Sequence, residues 1–146
     1  MSNNINLSDG FKEVTINNDK NRVIRINPTD INFITRYNET VKKLDELNEK
    51  YANIKEDDLS LEEQSKIISE IDNQAKEYLD YIVGSPVSEI VFGTASCLSL
   101  SGGQTVLENF LESYVGFMAP TIKEEYKKSR QRVNKYTSQA KRVSKK

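Results

Sequence analysis

A chain of 146 residues, 36 % hydrophobic and 29 % charged, has room for one modest core and reads as globular, not disordered. It has no histidine, which removes the usual general base near neutral pH and the commonest metal ligand, and its lone Cys97 cannot close an intrachain disulfide. These features disfavour an enzyme, a bound metal or a cofactor and fit a reducing cytoplasm, while the longest apolar run, Tyr114–Pro120, falls far short of the roughly 20 residues of a membrane span. The polar start resembles no secretory leader, so a soluble intracellular protein with no membrane partner is expected.

The formal net charge of −1 hides a division. Residues 123–146 carry ten Lys or Arg against Glu124 and Glu125, about +8; the other eleven basic and twenty acidic residues leave 1–122 at about −9. Such asymmetry points to a partner-binding tail whose partner is nucleic acid, an acidic protein or the acidic body of a second copy.

In chain order, residues 1–10 are polar and expected to be a flexible N-terminus. Val14/Ile16 and Ile24/Ile26 alternate on either side of Asn17–Asn21, which predicts a two-stranded hairpin with that segment as its turn. After Pro28, Thr29 or Asp30 caps a first helix running to about Ile54. Its predicted apolar stripe comprises Ile31, Ile34, Tyr37, Val41, Leu44, Leu47, Tyr51 and Ile54. Lys55–Leu59 connects to the capping box Ser60-Leu61-Glu62-Glu63, which opens a second helix to Val83. That helix uses Leu61, Ile68, Ile71, Ala75, Leu79 and Ile82 as its face, with Gly84 as C-cap, and forms an antiparallel pair with the first.

Pro86 starts a short helix to Phe92 that buries Val87, Ile90, Val91 and Phe92 and closes at Gly93. Thr94–Gln104 reads as a loop pinned by Leu98 and Leu100. A dense apolar helix follows from Thr105 through Phe110, Leu111, Tyr114, Phe117 and Met118, and Pro120 kinks or ends it. Thr121 and Glu124 then offer a second capping box for a basic final helix with Ile122, Tyr126, Val133, Tyr136, Ala140 and Val143 roughly on one side. The expected fold is mainly α: one helical domain over 11–122 with a small N-terminal β-hairpin, then a basic C-terminal helix or tail over 123–146.

Three local patterns weaken on inspection. Ser101-Gly102-Gly103-Gln104-Thr105 lacks the Gly-Lys-Ser/Thr end of a phosphate-binding loop. Asp57-Asp58 with Glu62-Glu63 lacks calcium-loop spacing and suits a helix N-terminus without a metal. Cys97 has no histidine to activate it. The tyrosines among Lys127, Lys128, Arg130, Arg132 and Lys135 do resemble a nucleic-acid surface, but no known nucleic-acid-binding motif accompanies them.

The layout as a whole resembles the tail assembly chaperones of long-tailed bacteriophages, of the type found in siphophages of Gram-positive hosts. The features that carry the resemblance are the hairpin Phe11–Ile26, the Pro28-Thr29-Asp30-Ile31-Asn32-Phe33-Ile34 lead-in to a long helix, and the charged helical pair. Ile90-Val91-Phe92-Gly93, the small-residue loop and the Val106–Met118 helix with its basic end complete the pattern. The resemblance implies a protein of the host cell cytoplasm, absent from the mature virion. It would bind the tape measure protein, keep it soluble and help recruit the tail tube protein. It also implies a longer frameshifted product, for which the terminal Lys145-Lys146 is a candidate origin. Candidate partner-binding residues are Phe92, Phe110, Leu111, Tyr114, Phe117 and Met118, with Lys127, Lys128, Arg130 and Arg132. Self-association, nucleic-acid binding through the basic helix and a structural tail or connector subunit are the competing readings.

Overall fold

The structure is a computed structural model that describes residues 3–54 and 58–144, with side chains described as far as Arg132. Two strands, β1 (Lys12–Ile16) and β2 (Asp19–Ile26), open the fold. The helices α1 (Asn32–Asn53), α2 (Leu61–Val83) and α3 (Ser88–Phe92) follow. A minute strand pair, β3 (Leu100–Ser101) and β4 (Gln104–Thr105), then leads into α4 (Val106–Ser144). The chain is mainly helical with an N-terminal antiparallel hairpin, as its patterning predicts.

The hairpin turn is tighter than the five polar residues suggest. Only Asn17 and Asn18 form it, with φ of 53° and 58°, a left-handed pair that twists the chain in the sense the strands need. The remaining polar residues belong to β2, and the register shifts between Thr15 and Ile16 to accommodate them. Val14 pairs with Ile24 on the inner face, where Ile24 and Ile26 are fully buried.

α1 begins one or two residues later than a cap at Asp30 or Thr29 implies, with Ile31 at the N-cap position. Asp30 Oδ1 accepts from the Asn32 N–H at 3.0 Å, so Asp30 still satisfies an orphan donor. The stripe is rotated at this end. Ile31 and Ile34 face solvent at 65 % and 62 % exposure, whereas Phe33, Thr40 and Leu47 are buried. Ring packing of Phe33 against Tyr114, with centroids 5.2 Å apart, selects this phase.

α2 runs from its Ser60 cap, whose side chain accepts from Glu63 N–H, to Gly84 in the left-handed conformation. Leu61 projects into solvent, while Ile71, Ala75, Leu79 and Ile82 line the core without exposure. Arg36, near the start of α1, donates from Nε to Ile82 O near the end of α2 at 3.1 Å, so the two helices are antiparallel. Of the connection Lys55–Leu59, residues 55–57 lie outside the described residues.

Pro86 precedes α3 instead of opening it. The N-terminus is held by Asp80, whose Oδ1 accepts from the N–H groups of Val87 and Ser88 at 2.9 and 2.8 Å. Val87, Val91 and Phe92 are buried, but Ile90 is exposed. The expected loop over 94–104 contains the β3–β4 hairpin, turned by Gly102 and Gly103 at φ 65° and 87°. Leu98 pins it, whereas Leu100 is 75 % exposed and does not.

The largest departure lies at Pro120. It neither ends the helix nor starts a new one: α4 is continuous over 39 residues with Pro120 inside it. Thr121 is not a cap. Its hydroxyl bonds back to Phe117 O at 3.4 Å. Met118 is buried and Ile122 packs on the core, so continuing past the proline retains apolar contact on both sides of it. The true cap is Thr105, whose Oγ1 accepts from Glu108 N–H at 3.1 Å.

Candidate functional site

The hairpin lies against α3 and the first third of α4. Arg22 of β2 fixes its position by donating from Nε to Ile90 O at 3.3 Å and from Nη2 to Val91 O, carbonyls of the last turn of α3. Between hairpin and α4 remains an open groove of about 540 Å³. Val14, Ile16 and Arg22 form one wall, and Asn109, Phe110, Ser113 and Phe117 form the other. The buried side chains of Ile24, Ile26, Val91 and Tyr114 make its floor. Asn17 and Ser101 add polar groups to the lining, while the floor is apolar except for the buried Tyr114 hydroxyl. Such a surface suits an apolar segment more than a small charged ligand.

An aromatic cluster stiffens the α4 wall. Phe110 lies 6.0 Å from Tyr114 and 6.4 Å from Phe92, the latter edge-on. The Tyr114 hydroxyl is buried without a hydrogen-bond partner among the described residues. Burial pushes its pKa up to about 12, with the nearby Arg36 guanidinium opposing and Asp30 reinforcing the shift. Tyr114 therefore stays neutral and acts as a packing group.

The candidate residues separate into four groups. Phe92, Tyr114 and Met118 are core side chains, 7 %, 4 % and 5 % exposed, so they support a partner surface from behind and do not present one. Phe110 and Leu111 are half-buried, and only Phe110 reaches the groove; Leu111 lies on another face, against a 110 Å³ cavity beside Leu44 and Leu98. Phe117, 41 % exposed at the groove edge, is the one candidate aromatic offered openly to a partner. Lys127, Lys128, Arg130 and Arg132 are all exposed on the later part of α4, away from the groove. Of the groove residues on the hairpin, strand alternation marks Val14 and Ile16 as inner-face positions but does not reveal that α4 stops short of covering them.

On α4, residues 123–132 are exposed without interruption. Lys128 reaches Glu124 and Glu125 at 3.7 and 3.8 Å, exposed pairs of little energetic weight. Tyr126 is 60 % exposed between Lys123, Lys127 and Arg130. The apolar positions Val133, Tyr136, Ala140 and Val143 lie beyond the described side chains, and Lys145-Lys146 and Asp57 lie outside the described residues.

Cys97 sits in a structural network, not a reactive one. Asp72 Oδ1 accepts from the Cys97 N–H at 2.8 Å and from the Ser96 hydroxyl at 2.9 Å, while Lys76 pairs with Oδ2 at 3.0 Å. Burial, reinforced by Asp72, pushes the Cys97 thiol up to about 12. Among the described residues no helix is long and apolar enough to cross a membrane. No protein-family model, curated protein or solved structure matches this chain.

Proposed function

We propose that this protein is a bacteriophage tail assembly chaperone that holds an apolar segment of the tape measure protein in the groove between the β1–β2 hairpin and α4. The observation that carries the reading is the groove itself: an apolar floor, walls whose apolar surface comes from Val14, Ile16 and Phe110, and an exposed Phe117. A long client with exposed apolar stretches aggregates unless those stretches are covered, and a groove of this composition covers one reversibly. The order of sequence features that resembles this chaperone family supports the same reading. The protein would act in the infected cell, deliver tail tube subunits to the coated client and leave before the virion is complete.

Co-expression with the tape measure protein tests this. The wild-type chain is expected to move the client into the soluble fraction and co-purify with it, and Phe117→Glu is expected to reduce both. A client that stays insoluble beside a folded, abundant wild-type chain overturns the proposal. Finding the chain as a stoichiometric part of purified virions would instead identify a structural subunit.

A further inference from the structure

The second half of α4 carries a pattern that the groove does not use. Val115, Ala119, Ile122, Tyr126 and Ser129 follow one another at alternating steps of four and three residues along one continuous helix. The sequence repeats the same steps at Val133, Tyr136, Ala140 and Val143. Only Ser129 breaks the apolar run. This is the 3.5-residue period of a coiled-coil seam, sustained for about four heptads.

The seam is uncovered where its side chains are described. Val115 is 50 % and Tyr126 60 % exposed, Ala119 and Ser129 are exposed, and only Ile122 is half-covered by the body. A helical stretch beyond Lys123 rises about 30 Å at 1.5 Å per residue. Most of a helix's stability in a protein comes from packing its apolar face.

The positions flanking the seam define the occupant. With Tyr126 at a and Ile122 at d, the charged e positions are Lys123 and Arg130 and the charged g positions are Glu125 and Arg132. Lys127 and Lys128 lie behind them. A parallel second copy would gain Glu125–Arg130 pairs, but it would also bring together two segments that each carry about +8, and that net repulsion disfavours pairing. A partner helix with acidic flanks would meet them with opposite charge while covering the apolar seam.

We infer that the Val115–Val143 seam of α4 docks an amphipathic helix with acidic e and g positions, supplied by a partner protein. This surface is separate from the groove, and the inference does not depend on which protein occupies that groove. The nearby tyrosine and cations also suit nucleic acid, but stacking and phosphate contact require no heptad repeat.

The full-length chain is titrated with a synthetic peptide of about four heptads carrying Leu at a and d and Glu at e and g. A second peptide carries Lys at e and g, and a duplex DNA oligonucleotide serves as the polyanion probe. The Glu peptide is expected to bind, to weaken with salt, and to lose at least about tenfold in affinity with either Val115→Ser/Tyr126→Ser or Lys123→Glu/Arg130→Glu. The Lys peptide is expected not to bind. All four substitutions are at exposed positions, and circular dichroism verifies that each variant keeps its helix content.

No binding of the Glu peptide, or equal binding of both peptides, overturns the inference. So does DNA binding that displaces the Glu peptide while the seam variant binds that peptide like wild type, which would identify a plain polyanion surface. A concentration-dependent dimer of the wild-type chain, dissolved by Val115→Ser/Tyr126→Ser, would assign the seam to a second copy and overturn the acidic partner.

Discussion

Arg36 occupies the space that a side chain on Gly84 would need. A Cβ built on Gly84 would come within 2.9 Å of Arg36 Nη2 and 3.2 Å of Cζ. From that place the guanidinium donates to Ile82 O at 3.1 Å and pairs with Asp30 at 3.0 Å. One side chain thus closes the end of α2, ties it to the start of α1 and requires that the C-cap be glycine.

Gly84→Ala should therefore destabilise the fold by about 1–3 kcal/mol, from a φ of +83° and from displacement of Arg36 together. Denaturant unfolding measures it. A loss no larger than that of a surface Ala substitution would show that Arg36 moves aside at little cost.

Acid sensitivity should trace in part to Asp72. Burial alone would raise its pKa from the ordinary 3.8, but Lys76, the Cys97 N–H and the Ser96 hydroxyl outweigh burial and hold it lower in the folded chain. A carboxyl depressed on folding stabilises the fold above its unfolded value, and that contribution disappears as pH falls through the folded value. Asp72→Asn should be less stable than wild type near neutrality, and the gap should narrow below about pH 4. A gap independent of pH would contradict the ionic part of this account.

Cys97 should resist alkylation in the native state. With no exposure and its thiol pushed up to about 12, almost no thiolate is presented at pH 8. Iodoacetamide labelling should follow unfolding with added denaturant, and rapid labelling of the folded chain would contradict the burial.

Pro120→Ala should stabilise the chain, by up to about 3 kcal/mol, because proline has no N–H to return to the Gly116 carbonyl within α4. Thermal unfolding measures the gain. Unchanged stability would indicate that the helix has already relaxed around the proline.

Much of this architecture is legible because local chemistry and global packing agree. Ser60 and Gly84 bound α2 at the residues their capping chemistry indicates, and strand alternation marks Ile24 and Ile26 as the inner face. What escapes is decided by distant contacts. Phe33 and Ile34 are both apolar, and only Tyr114, far along the chain, determines which is buried. Pro120 reads locally as a stop, yet Met118 and Ile122 pack on either side of it. Gly102-Gly103 marks a turn, but the strands beside it are two residues long, too short for alternation to register. The same limit governs the groove. Apolar density in α4 places aromatics there, but burial of Tyr114 and Met118 and exposure of Phe117 emerge only once the hairpin is docked.

The central claim is that Phe117 and the groove beside it hold an apolar segment of the tape measure protein. Site-specific photo-crosslinking in infected cells tests it most directly, with a photoreactive amino acid at position 117 and mass spectrometry of the adduct. The account predicts a principal adduct with the tape measure protein, diminished when Ile16 across the groove is changed to Asp. Adducts with nucleic acid or with mature virion shell proteins, or no adduct from a folded chain, would contradict it.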